Sequence, residues 1–143
     1  MFVFELRDGP SDRGEFWGRF GVLTYHLHPK PIYHALHAVA QLGPDLLPVE
    51  VTPARDDLGM LVAPSGLAIL WYGGATPLHV AVRLPPAAGR EVQATLFDAT
   101  HNNPAAGVGA DVPAPLGTFA VDGLAFDLAP ASMLVLEPLS AGP

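Results

Sequence analysis

Four histidines, His26, His28, His34 and His37, fall within twelve residues, and imidazole is a common zinc ligand. His34 and His37 share a face if their segment is helical, being spaced i, i+3. The spacing of the four fits no standard metal signature, so the cluster is a candidate by residue type alone, and no metal or other cofactor is expected. Glu5 and Asp8 are the carboxylates closest to one strand end, and such a pair can serve as acid and base. That work needs a pocket to push their pKa values apart. Asp8 also opens the turn-forming stretch Asp8-Gly-Pro-Ser-Asp12, and Arg7 can neutralise either carboxylate. Asp98, His101 and Asn102 offer ligand atoms in a loop, but Asp and Asn are turn formers first, and calcium requires several more oxygens. Ser11, Ser65, Ser132 and Ser140 have no G-x-S-x-G context. No catalytic residue is assigned. Trp17, Trp71 and Tyr72 could recognise a sugar, because a flat aromatic ring packs on a pyranose face while a polar neighbour fixes its orientation. Glu5 and Asp8 are further carbohydrate-binding candidates by residue type. Trp71 lies in the apolar run Leu67-Ala-Ile-Leu-Trp-Tyr72, which also reads as core, whereas Trp17 sits in a polar loop flanked by glycine.

The elements that would position these residues fall into two parts. Phe2, Val3, Phe4 and Leu6 form a nearly continuous apolar run, the pattern of a strand buried on both faces. A helix is expected from Pro31 to Leu42: Pro29 and Pro31 suit its entry, Gly43-Pro44 stops it, and Ile32, Leu36 and Val39 recur at i, i+4, i+7 as its apolar face. From Leu46 the period changes to two. Val49 and Val51, Leu78 to Val82, and Val92 to Leu96 alternate with smaller or polar residues, as half-buried strands do. Leu58–Val62 and Leu67–Tyr72 flank a short hairpin loop, Ala63-Pro-Ser-Gly66. Asp122-Gly123 suits a type I′ hairpin turn between Phe119-Ala-Val and Leu124-Ala-Phe. Met133–Leu136 supplies a closing strand, and residues 101–115 read as a long loop. The expected fold is mainly β, an antiparallel β-sandwich over residues 45–143 preceded by a strand-loop-helix appendage over residues 1–44.

Composition narrows the function classes. With 143 residues, half of them apolar and 15% charged, the chain can bury a sizeable core. A net charge of −7 with seven scattered Lys and Arg provides no basic stripe for phosphate, which argues against nucleic-acid binding. No window approaches the roughly 18 to 20 apolar residues of a membrane span, and the first residues lack a signal-like segment. A soluble, by default cytoplasmic, protein is the expectation. The absence of cysteine excludes disulfides and thiolate metal sites.

The stretch Phe2-Val-Phe-Glu-Leu-Arg-Asp-Gly-Pro10, then Phe20-Gly-Val-Leu-Thr24, then Pro29-Lys-Pro-Ile-Tyr-His-Ala-Leu36 resembles the last strand, turn and helix of a (β/α)8-barrel glycoside hydrolase of clan A, family 39 type. Leu96-Phe-Asp-Ala-Thr-His-Asn-Asn-Pro104 is similar to a D-x-x-H-x-N segment that follows a sandwich strand in those enzymes. The resemblance implies a β-sandwich after a residual barrel unit, the other seven units lying outside this chain. It also implies that the two catalytic glutamates, near the ends of barrel strands four and seven, are not in this chain. Retaining hydrolysis needs both carboxyls, about 5 to 5.5 Å apart. Three roles follow as expectations: a non-catalytic accessory or structural sandwich, a carbohydrate-binding module, or one part of a split glycosidase. The partners they imply are a carbohydrate, a second copy of the chain in a homodimer paired through Phe2–Leu6, or the missing barrel chain.

Overall fold

The computed structural model describes residues 5–7, 21–23, 29–103, 107–108 and 112–139. The order of elements is β1 (Glu5–Arg7), β2 (Gly21–Leu23), α1 (Pro31–Leu42), β3 (Leu58–Val62), β4 (Ala68–Tyr72), β5 (Leu78–Val82), a 3₁₀ turn (Pro86–Ala88), β6 (Glu91–Phe97), β7 (Gly117–Ala120), β8 (Leu124–Leu128) and β9 (Ser132–Pro138). Two antiparallel sheets form a β-sandwich: five strands in the order β3-β4-β9-β6-β7, facing the pair β5-β8.

Alternation assigns the two faces of the larger sheet. On its inner side Leu70, Tyr72, Val92, Ala94, Leu96, Leu134 and Leu136 join Val80, Val82, Leu124, Phe126 and Leu128 of the smaller sheet in one buried cluster. The outer side carries Ile69, Val135 and Phe97, and these pack with Ala38 and Leu42 of α1 in a second cluster. The middle strands are therefore covered on both faces, and β6 is buried at five of its seven positions, partly buried at Gln93 and exposed at Glu91. Strands of that kind read as near-continuous apolar runs, whereas β5 and β8, with one face outward, alternate cleanly.

The helix has the expected bounds but buries a different face. His34, Ala38 and Leu42, at i, i+4, i+8, turn inward, while Ile32 and Val39 are about half exposed, at 49% and 48%. The reason is the ring of His34, which stacks on Phe97 of β6 with centroids 5.0 Å apart and planes 24° apart. A flat aromatic contact of this kind places the imidazole where an aliphatic residue was expected.

Three further expectations are revised. Val49 and Val51 lie outside any strand; Pro48 and Pro53 bracket them, and proline cannot donate to a ladder. Asp122-Gly123 does not close a hairpin, because β7 pairs with β6 and β8 pairs with β5. The turn instead carries the chain from one sheet to the other, and only Gly123 has a positive φ, 86°, where a type I′ turn needs two such residues. Gly21–Leu23 is not a turn but a strand, paired in parallel with β1 through Glu5↔Gly21 and Arg7↔Leu23. Leu6 lies in that pair, whereas Phe2 and Phe4 lie outside the described residues.

One loop contact is unusually restrictive. Gly66 closes the β3–β4 turn with φ 89°, and a Cβ there would overlap the backbone of Ala88, itself fully buried. Gly123 has a similar φ with open space around it. Gly66→Ala is expected to cost about 1–3 kcal/mol more than Gly123→Ala, since it adds a clash with immobile backbone to the same conformational strain. Urea unfolding of the two variants, compared by midpoint at equal slope, measures the difference.

Candidate functional site

Two of the aromatic residues singled out by type lie on β4 of the larger sheet. Trp71 and Tyr72 are adjacent on β4, so they point to opposite faces. Tyr72 is inward and 2% exposed; its hydroxyl donates to the Thr76 carbonyl at 2.6 Å. A ring buried in this way has no face to offer a sugar. The Arg55 guanidinium lies 5.9 Å from the centroid of the Tyr72 ring, held by a two-pronged ion pair with Asp57 in which both N–O distances are 2.8 Å. Trp71 is outward and 44% exposed. Gly59 stands opposite it on β3 and Met133 opposite it on β9. Its indole lies over Gly59, where any Cβ would overlap the ring. The glycine thus lets the indole lie flat along the sheet at its edge, an accessible aromatic platform.

The loop motif after β6 is a structural junction. Asp98 is 5% exposed. One of its carboxylate oxygens, Oδ1, accepts the backbone N–H groups of Thr100 at 2.6 Å and His101 at 2.7 Å, and the Thr100 hydroxyl at 3.0 Å. His101 Nδ1 lies 3.0 and 3.1 Å from the two oxygens. Burial acts to raise the pKa of this carboxyl, but the hydrogen bonds from Thr100 and His101 outweigh it and hold the pKa below the usual aspartate value. Asn102 takes a left-handed φ of 48°, and its side chain spans the loop. The amide donates to the carbonyls of Leu96 at 2.8 Å and Ala114 at 2.9 Å and accepts the Ala114 N–H at 2.8 Å. These oxygens and amides are committed to the chain's own backbone, so Asp98, His101 and Asn102 build the loop and do not present a calcium site.

The histidines separate. His34 is buried against Phe97, whereas His37 is exposed. Among the described residues, no group of three or more His, Asp or Glu side chains is placed to hold a metal ion. His26, His28, Trp17 and Asp8 lie outside the described residues. Glu5 is described through its backbone in β1. Ser132 begins β9 with its hydroxyl buried and unbonded among the described residues, and the Ser65 hydroxyl accepts the Leu67 N–H in the β3–β4 turn at 3.4 Å. A second surface feature went unrecognised in the sequence. A cleft of about 790 Å³ lies between β3 and β5, lined by Leu58, Met60, Leu78 and Val80 and rimmed by Arg55 and Arg83. Residues 47–53 form another part of its lining, and no local pattern in the sequence shows that this segment meets β3 and β5.

No family model matches the chain, and no curated protein matches it. Among solved structures, the chain is similar to the GH39 enzyme from Xanthomonas axonopodis pv. citri, with a TM-score of 0.55 and 19% identity over 87% of this chain and 33% of the other. It also aligns with a Bacillus halodurans C-125 protein provisionally described as an α-N-acetylgalactosaminidase, with a TM-score of 0.41 and 15% identity over 88% of this chain and 33% of that one. The chain thus spans about a third of the length of each structure. At 19% identity the likeness to the GH39 enzyme concerns the fold alone.

The Asp98 junction has a pH signature. Its folded pKa is depressed, so its stabilisation is fully present above the unfolded value, about 3.9, and is lost as pH falls through the lower folded value. Asp98→Asn is expected to cost about 1–3 kcal/mol at pH 7, as for a buried acceptor that loses charged hydrogen bonds. The stability gap between wild type and variant should narrow as pH falls below about 4 and close below the folded value. Thermal or urea denaturation across that range measures it.

Proposed function

We propose that this chain is a non-catalytic accessory or structural β-sandwich, the counterpart of the C-terminal part of a family 39-type glycoside hydrolase. The observation that carries the proposal is the two-sided helix. One face of α1 closes the outer core through Ala38 and Leu42, while Ile32, Tyr33 and Val39 leave a second apolar face exposed at 40–49%. A helix apolar on both sides suits a position between two packed bodies. The short parallel pair β1-β2 supports the same reading, because parallel strands ordinarily belong to wider sheets covered on both faces. The fold likeness to the GH39 enzyme spans 87% of the chain and favours a barrel as the second body, supplied by a longer polypeptide, by a separate barrel chain or, in the homodimer alternative, replaced by a second copy.

This reading requires that residues 1–143 alone do not turn over glycosides. p-Nitrophenyl β-D-xyloside and β-D-glucoside are expected to be hydrolysed no faster than in a buffer blank. Turnover abolished by Glu5→Gln would overturn the non-catalytic assignment.

A carbohydrate-binding role is the second reading, favoured by the exposed indole of Trp71 lying over Gly59. On this reading xylo- or gluco-oligosaccharides quench or shift the tryptophan emission in a saturable way. The signal is expected to persist in Trp17→Phe and vanish in Trp71→Ala; persistence in Trp71→Ala would move the platform to Trp17, and an unchanged emission throughout would remove the reading.

A further inference from the structure

A cavity of about 310 Å³ lies between α1, the outer face of β6 and β9, and the segment Val112–Pro115. Its volume is at the lower end of the range for small-molecule sites, roughly 300–1,000 Å³. Sheet register sets the floor. Gln93 on β6 stands directly opposite Glu137 on β9, and Thr95 stands opposite Val135 two residues along. The helix sets one wall: Tyr33, His37 and Gln41 recur at i, i+4, i+8 and line the same space. Pro113 and Pro115 form the facing wall.

The polar groups here differ from those of the Asp98 junction. There every carboxylate and amide is occupied by the chain itself, whereas the side chains of Gln41, Gln93, Thr95 and Glu137 make no hydrogen bond to another described residue. Thr95 is nevertheless only 8% exposed. Gln41 is exposed and Gln93 and Glu137 are partly buried, so water reaches their polar groups, and a ligand that supplies the same hydrogen bonds can take its place. The chemistry of the set defines that ligand. Each glutamine amide both donates and accepts, and so does the threonine hydroxyl. The matching groups are those that also do both, namely hydroxyls. No Lys or Arg lines the cavity, which disfavours an anion, and a single carboxylate is too few oxygens for a hard cation. Tyr33 and the two prolines offer apolar surface to C–H groups.

We propose that this cavity binds a neutral, hydroxyl-rich small molecule the size of one sugar or cyclitol ring, with Gln93 and Gln41 as the main hydrogen-bonding residues. The site is separate from the Trp71 platform and does not rest on the accessory role. The test is titration of the ¹⁵N-labelled chain with glucose, xylose and myo-inositol, following the side-chain amide signals of Gln41 and Gln93. At least one of the three should move both signals saturably, with a midpoint on the order of 10 mM or below. Gln93→Leu should weaken that binding about tenfold or more by removing hydrogen bonds from the site, and Trp71→Ala should leave it intact. Gln41→Ala, on the exposed side of the helix, gives the same reading without touching the sheet. No saturable movement with any probe would overturn the proposal, as would unchanged binding in Gln93→Leu or Gln41→Ala, or loss of binding in Trp71→Ala.

Discussion

Strand β9 must satisfy two cores at once, and the rest of the molecule is arranged around that constraint. It lies between β4 and β6, hydrogen-bonded to both. Leu134 and Leu136 point into the space between the sheets at 0% exposure, while Val135 points the other way, beneath the helix. Burying one such side chain contributes about 1.5–3 kcal/mol, so losing the cover on either face would remove a large share of a small domain's stability. The helix is therefore part of the sandwich's own core. Ala38 and Leu42 share a cluster with Leu67, Ile69 and Phe97.

How much of this was legible depended on whether the signal was local. The bounds of α1 were, because Pro31 and Gly43-Pro44 mark a helix start and stop by backbone chemistry alone. The face it buries was not. Ile32, Leu36 and Val39 make a good stripe on paper, but the sheet offers Phe97 to a flat partner, and His34 meets it. Tertiary contact outranked hydrophobicity. The same holds at Asp122-Gly123, where the dipeptide correctly marks a turn but says nothing of which sheet receives the next strand. At Val49 and Val51 an alternating pattern too short to outweigh its flanking prolines formed no strand.

The candidate sites divide along the same line. That Asp98 and Asn102 would act first as turn formers was readable from residue type, since both bond readily to nearby backbone. Which backbone groups they hold was not: Asn102 reaches Ala114, twelve residues on, and only the fold brings that carbonyl close. Trp71 sits in an apolar run that suggests core, yet strict alternation along β4 places it opposite Tyr72, and Gly59 on the neighbouring strand makes room for it. Gln93 and Gln41 carried no signal at all. Each is an unremarkable surface glutamine in the sequence, and they come together only because β6 and α1 pack side by side.

The doubly covered sheet also explains why polar groups can persist beneath the helix. A second sheet covers several strands of a sheet face at once, but a single helix is roughly 10–12 Å across and cannot span five strands set about 4.8 Å apart. Beyond the edge of α1 the outer face is only partly covered by the described residues. At the β3 side the uncovered area holds Trp71 over Gly59. At the β6–β9 side it holds Gln93 and Glu137, with Val112–Pro115 closing the gap from above. Filling that gap with aliphatic residues would extend the second core and add stability at little cost in strain. Instead, the sequence places an amide, a hydroxyl and a carboxylate there, the composition of a surface that meets hydrogen-bonding partners. The mismatch between the width of the helix and the width of the sheet thus leaves two separate areas of the outer face open among the described residues, and side-chain chemistry distinguishes them as an aromatic surface and a polar cup.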